Sequence, residues 1–149
     1  MIKVSVVILN WNGADMLRRF LPSVISCSQG KGIEVCVADN GSSDDSCRIV
    51  EEEFPSVRLI RLPENYGFAD GYNKALEQVD AEYVVLLNSD VEVSSDWLSA
   101  IWICIRRLQP ASLKFSTGKI KNILNMQGRL VDLSTDMGIR SVAAVCLIR

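Results

Sequence analysis

The sequence predicts an α/β fold built on a parallel sheet, and three observations carry that expectation. Apolar, β-branched runs alternate with segments of helical periodicity; the runs are apolar enough to be covered on both faces; and each run ends in a cluster of Asn, Asp, Gly or Ser. Val4 to Leu9 is the first such run and reads as a buried strand. Ala14 to Ser26 follows with Leu17, Phe20, Leu21, Val24 and Ile25 at helical spacing. Ile33 to Ala38 is the second strand. Asp44 to Phe54 places Cys47, Val50 and Phe54 on one helical face, after serines suited to cap it. Val57 to Leu62 is the third strand; Ala69 to Val79, with Tyr72, Leu76 and Val79 in phase, is the third helix; Glu82 to Leu87 is the fourth strand. If the C-terminal segment is a genuine part of the fold, a further helix is expected near Trp97 to Leu108. The alternation β-α-β-α-β-α-β implies crossovers of one hand and a sheet covered on both sides.

A chain of 149 residues with 48% hydrophobic content is long enough for one domain with its own core. No apolar stretch reaches 18 residues, and Met1-Ile2-Lys3 passes straight into the first strand, so neither a membrane span nor a signal peptide is expected, and a cytoplasmic location follows. Five cysteines (Cys27, Cys36, Cys47, Cys104, Cys146) form no C-x-x-C pair and sit mostly on apolar periodicities, which predicts buried free thiols. There is no histidine, so catalysis and metal ligation by imidazole are excluded.

In open α/β sheets, ligands bind outside the carboxyl ends of the strands. Here those ends read Asn10-Trp11-Asn12-Gly13, Asp39-Asn40-Gly41, Glu64-Asn65-Tyr66-Gly67 and Asn88-Ser89-Asp90. Asn, Asp and Gly are also ordinary turn residues, so any one cluster alone is explained by local geometry. Four clusters on one rim, two of them with an aspartate, point to a polar ligand. A dinucleotide dehydrogenase would want G-x-G-x-x-G after the first strand, where this chain has N-W-N-G. Gly30-Lys31-Gly32 precedes a strand and reads as a turn, and no Walker A sequence occurs.

The segments VSVVILNWNG, VADNGSSDDS, ENYGFADGYNKAL and VVLLNSDVEV, in this order, resemble the N-terminal, nucleotide-binding half of family 2 glycosyltransferases of the bacterial rhamnosyltransferase-like kind. The resemblance covers about residues 3 to 100. It implies a Rossmann-like GT-A sandwich with strand order 3-2-1-4 in residues 1–108, and an incomplete C-terminal half. It also implies transfer of a sugar from a nucleoside diphosphate donor, such as a UDP- or dTDP-sugar, to an acceptor hydroxyl on a glycan or lipid-linked saccharide, with Mg²⁺ or Mn²⁺ as cofactor and inversion at the transferred carbon. Cell-surface polysaccharide synthesis, at the inner face of the membrane, is the setting that goes with it.

The resemblance assigns Asp39 to the pyrimidine N–H of the base; an Asx-turn acceptor for the Gly41 or Ser42 backbone is the alternative for the same residue. Asn10, Trp11 and Asn12 would line the base or ribose, with core packing the equal alternative for Trp11. Asn65 and Gly67 would form the loop over the diphosphate, with the following helix presenting its N-terminus to negative charge. Asp70 and Asn73 fall on that helix, where Asp70 reads as a solvated first-turn acid. In the family's D-x-D motif one carboxylate faces the ribose or sugar and another the metal. Here Asn88 takes the first position and Asp90 the last, leaving Asp90 as the single protein carboxylate for the cation.

The general base that inverting transfer needs is expected C-terminal of the metal motif, and residues 101 to 149 offer only Asp132 and Asp136, neither in a matching context. The chain is therefore expected to be truncated and to lack its base. Residues 1 to 100 hold 8 Lys and Arg against 16 Asp and Glu, whereas residues 101 to 149 hold 8 against 2. A basic arm for nucleic acid would explain that break. Two other readings stand for 109–149: a genuine, divergent segment with further elements of its own, or a tail translated out of frame. Taking the last base of each codon with the first two of the next, a permitted codon choice turns Gln109 to Ser116 into AACQPKIL, and Asn125 to Ser141 into EYAGAAGGFIDRYGYPF, both similar to the family's continuation. No nucleic-acid partner is then expected. Two other function classes stand beside the transferase: a nucleotide-binding module without catalysis, and a flavodoxin- or receiver-like signalling domain, although a receiver would want paired acids where this chain has Asn10 and Asn12.

Overall fold

The structure, a computed structural model, describes residues 4–99 and the backbone of 145–148. The elements in order are β1 (Val4–Asn10), α1 (Ala14–Cys27), β2 (Ile33–Asn40), α2 (Ser46–Glu53), β3 (Arg58–Leu62), α3 (Gly67–Leu76), β4 (Tyr83–Asn88) and β5 (Val145–Ile148). They form one sheet in the order β3-β2-β1-β4-β5. The first four strands are parallel and follow the expected 3-2-1-4 arrangement. β5 is an addition to it. This run of the tail, VCLI, pairs antiparallel with β4 from Leu86↔Val145 to Tyr83↔Ile148 and covers an edge that would otherwise be open. The helix expected over Trp97 to Leu108 begins at Trp97. The rest of it, the domain limit at residue 108, Cys104 and the stretches offered as out of frame lie outside the described residues.

Strand alternation divides the core between the two sheet faces. Val4, Val6 and Ile8 of β1 pack with Val35 and Val37 of β2, Val85 and Leu87 of β4, and Leu17, Leu21 and Val24 of α1. On the other face Val7, Cys36, Ala38, Val84 and Leu86 pack with Tyr72 and Ala75 of α3. Trp97 closes the first cluster, fully buried, with its indole N–H donating to the Cys27 carbonyl at 3.2 Å.

Element ends depart from expectation for local reasons. β2 runs two residues further than its apolar run because Asp39 and Asn40 still pair with Arg61 and Leu62 of β3. The serines before α2 do not cap it. Its first turn is held instead by Asp44, whose Oδ1 accepts from the Ser46 amide and whose Oδ2 accepts from the Ala14 amide at the start of α1, both at 3.0 Å. α3 starts at Gly67, where φ is 73°, and ends at Leu76, short of Val79. Of the described cysteines, all free, only Cys36 is buried; Cys27 and Cys47 are half-buried, so the expectation of buried thiols holds for one of three.

Candidate functional site

Four of the polar residues at the strand ends, Asn10, Asp39, Asn40 and Asn88, are strand positions, and the others lie in the loops and turns that follow. Asn10 and Asp39 sit opposite each other on β1 and β2, and Asn88 of β4 pairs with Leu9 of β1. Because β1 lies between β2 and β4, the Asn10, Asp39 and Asn88 positions converge on one rim, followed there by the turn that carries Ser89 and Asp90. Asn65 and Gly67 reach the same rim at the head of α3.

Side-chain alternation makes two polar networks of this rim, one on each face of the sheet. On the α1–α2 face, buried Asn10 donates from Nδ2 to Asp39 Oδ1 at 3.1 Å and to Ser42 Oγ at 3.3 Å. Asp39 Oδ2 accepts from the Ser42 amide at 3.0 Å, the Asx-type bond that was the alternative reading of this residue. Asn12, with φ of 49°, donates its amide to Ser42 Oγ and accepts from the Ser43 amide, both at 2.8 Å. Asn10 Oδ1 is buried with no partner among the described residues, and a Cβ at Gly13 would collide with it. Only glycine fits there.

On the α3 face, Asn40 is 2% exposed and its side-chain amide is fully used. Nδ2 donates to Asn65 Oδ1 at 2.9 Å and to the Gly67 carbonyl at 3.0 Å, while Oδ1 accepts from the Tyr66 amide at 3.1 Å. Asn65 Oδ1 also accepts from the Gly67 amide at 2.8 Å. Deeper on this face the Tyr72 hydroxyl donates to the Leu87 carbonyl at 3.0 Å and accepts from the Leu9 amide at 3.4 Å, joining the ends of β1 and β4 from α3.

Protonation follows from these contacts. Burial, then the hydrogen bond and charge of Asp39, pushes the Cys47 thiol up to about 11, so it stays protonated. Burial also raises the Tyr72 hydroxyl, against the hydrogen bond from Leu9. For Asp44, burial works to raise its pKa, but hydrogen bonds from the Ser46 side chain and from the Ala14 and Ser46 amides outweigh it and hold the carboxyl below its ordinary value.

Trp11 is 57% exposed, which removes the core-packing alternative for it. Asp70 lies in the first turn of α3 and accepts from Asn73 at 3.4 Å, a local pair on the helix. Asp90 is exposed and has no hydrogen-bond or ion-pair partner among the described residues, which also contain no group of three acidic, cysteine or histidine side chains placed to hold a metal ion. A cleft of about 660 Å³ lies at the opposite, amino-terminal ends of the strands, lined by Ile25, Ser28, Lys31, Glu34 and Val57, and shares no residue with this rim. Sequence reasoning missed Asn40, Ser42, Asp44 and Tyr72. Asn40 stood inside the quoted strand-end motif, but Tyr72 carried only the signature of an apolar helix face.

Comparison with known proteins gives this rim its context. A family model described as glycosyl transferase family 2 matches residues 5–119. Among curated relatives, uncharacterized glycosyltransferase YfnE of Bacillus subtilis is 33% identical over 97 residues, 63% of this chain and 24% of its own length. The N-acetylglucosaminyl-diphospho-decaprenol L-rhamnosyltransferase of Mycobacterium tuberculosis is 30% identical over 100 residues, 60% of this chain and 32% of its own. Among solved structures, S. aureus TarS 1-349 in complex with UDP-GlcNAc aligns with a TM-score of 0.62 and 26% identity, over 71% of this chain and 32% of that one. The mannosyltransferase PcManGT from Pyrobaculum calidifontis, in complex with GDP-Man and Mn²⁺, aligns at 0.58 and 26%, over 65% and 30%. The chain thus spans about a third or less of the length of the proteins it matches here. With more than half of its residues inside the family model and the expected GT-A strand order in its sheet, the chain belongs to glycosyl transferase family 2.

Proposed function

We propose that the rim formed by β1, β2, β4 and the head of α3 binds a nucleoside diphosphate sugar, with a divalent cation held between the diphosphate and Asp90, for transfer of the sugar to an acceptor hydroxyl. The observation that carries this reading is the convergence of Asn10, Asp39, Asn65 and Asn88 on one end of the sheet, in a fold that in two solved relatives holds UDP-GlcNAc and GDP-Man. Family membership removes the flavodoxin-like and receiver-like alternatives.

Asp39 reads the base in this account. An ionised carboxylate offers about four acceptor positions. Asn10 and the Ser42 amide take two, leaving acceptor capacity for a base N–H. Asn10 and Ser42 hold the carboxylate rigidly, so little ordering remains to be done on binding. Exposed Trp11 offers a ring face to base or ribose. Asn65 and Gly67 shape the segment that approaches the diphosphate, and Asn88 supplies a neutral amide toward a ribose or sugar hydroxyl.

The donor set at Asp90 fits a hard cation, because Mg²⁺ is commonly held by one or two carboxylates together with substrate phosphates and water. Asp39 stands two strands away from the turn that carries Asp90, across β1, so Asp90 is the carboxylate assigned to the cation. A cation there would neutralise charge on the departing nucleoside diphosphate. The setting proposed is the cytoplasmic side of a membrane; no helix among the described residues is long and apolar enough to cross one.

Thermal shift with a panel of nucleoside diphosphates, with and without Mn²⁺, tests the proposal, because a ligand that binds only the native state raises its apparent stability. Stabilisation by at least one diphosphate is expected. No shift by any of them, with or without metal, would remove the nucleotide site.

A further inference from the structure

We infer that Asn40 is a positioning residue that makes the rim discriminate a nucleoside diphosphate from the corresponding monophosphate; this rests on the nucleotide site proposed above. Asp39 and Asn40 are consecutive on β2, so their side chains leave opposite faces of the sheet. Asp39 joins the network on the α1–α2 face, while Asn40 reaches the α3 face and holds three consecutive residues there: the Asn65 side chain, the Tyr66 amide and the Gly67 carbonyl. The strand end that carries the base-reading carboxylate is thereby tied to the segment assigned to the diphosphate.

The bond set fixes which way the amide points. Turning it over would set Oδ1 against two acceptors, Asn65 Oδ1 and the Gly67 carbonyl, and Nδ2 against the Tyr66 donor. Packing holds it from behind as well. A Cβ at Gly71 would lie 2.9 Å from Asn40 Nδ2 and 3.1 Å from Leu9 Cδ2, so the helix can approach the amide this closely only without a side chain. Gly41, with φ of 73°, itself passes close to the Glu64 backbone, and a Cβ on it would lie 2.6 Å from the Glu64 carbonyl carbon. Two glycines and one amide thus set where the 64–67 segment lies relative to β2. Asn40 spends both of its amide hydrogens and its carbonyl oxygen on the 65–67 segment and is not expected to touch ligand.

Titrating the 149-residue chain with UDP and UMP, or with dTDP and dTMP if those bind better, measures the ratio of the two Kd values. The wild type is expected to favour the diphosphate. Asn40→Asp keeps the shape but sets an acceptor against Asn65 Oδ1 and the Gly67 carbonyl. It should weaken diphosphate binding by about tenfold, the equivalent of roughly one hydrogen bond, and leave monophosphate binding within about threefold. Gly71→Ala presses on the same amide from α3 and should lower the ratio in the same direction by a smaller factor; it decides the matter if Asn40→Asp does not fold. A merely structural role would weaken both ligands together, and that result, or an unchanged ratio in the folded variants, overturns the inference. A wild type that binds both ligands equally also overturns it while the nucleotide site stands. A wild type that binds neither overturns both.

Discussion

Asn10 and Asp39 occupy the last paired position between β1 and β2, and the Asn10 amide donates to the Asp39 carboxylate at 3.1 Å. The same carboxylate takes the Ser42 amide on its other oxygen, so one buried acid organises two of the four strand-end clusters. Asp39→Ala leaves Asn10 Nδ2 with only Ser42 Oγ and the Ser42 amide without its acceptor, at a cost of about 1–3 kcal/mol. Urea unfolding measures that loss. Nucleotide binding should weaken in metal-free buffer too, since base recognition does not involve the cation. A defect seen only in the presence of Mn²⁺ would show that Asp39 serves the metal and not the base.

Asp44 joins the first turns of α1 and α2. Its carboxyl titrates lower in the folded chain than in the unfolded one, so its contribution is present above the unfolded pKa, near 4, and is lost as pH falls through the lower folded value. Asp44→Ala should cost about 1 kcal/mol at neutral pH, as losses at helix N-termini do. The difference from wild type should shrink in melts run toward pH 3. A difference that stayed constant down to that pH would assign the effect to packing and not to charge.

Tyr72 ties the ends of β1 and β4 to α3 through one hydroxyl. Tyr72→Phe should destabilise by about 1–2 kcal/mol, the cost of leaving buried backbone groups short of a partner. Burial raises the hydroxyl's pKa in the folded state, so its contribution is complete below the unfolded value near 10 and is lost as pH climbs from there toward the folded value. Wild type should therefore lose more stability than Tyr72→Phe between pH 9 and pH 11, a difference that denaturant titrations at the two pH values would reveal.

The parallel sheet was legible because its strands are apolar on both faces, and the rim because polar residues follow those strands directly. Strand order came from the motif resemblance, since periodicity says which segments are strands but not which ones neighbour. What could not be read was the division of labour within the rim. Asp39 and Asn40 look alike in sequence, yet strand alternation sends them to different faces and different partners. Tyr72 read as an apolar position because a buried phenol needs a hydrogen-bond partner that only the folded sheet ends supply. Asp44 was hidden behind serines that resemble caps but serve the Asn10–Asn12 loop instead.

The tail carries its own test. Sequencing the encoding DNA should find the shifted frame open from residue 105 to 141, and stop codons within that stretch would end the out-of-frame reading. Removing the residues after 108 takes β5 from the β4 edge, a loss of four strand pairings, but touches none of the described rim residues. Stability should fall while nucleoside diphosphate binding survives. Calorimetric titration of the shortened chain would show whether the tail contributes to the site.

The central claim is that Asp90 serves a cation bridging to a bound diphosphate, and it is tested most directly by the Mn²⁺-dependent gain in UDP or dTDP affinity, compared in wild type and Asp90→Asn. A neutral amide oxygen is a poorer partner for a hard dication than a carboxylate. The account predicts that metal tightens binding to wild type and leaves Asp90→Asn unchanged, with both proteins unfolding at similar denaturant concentrations because Asp90 is exposed and supports no core packing. An equal gain in both would contradict the account and leave Asn88-Ser89-Asp90 as a turn.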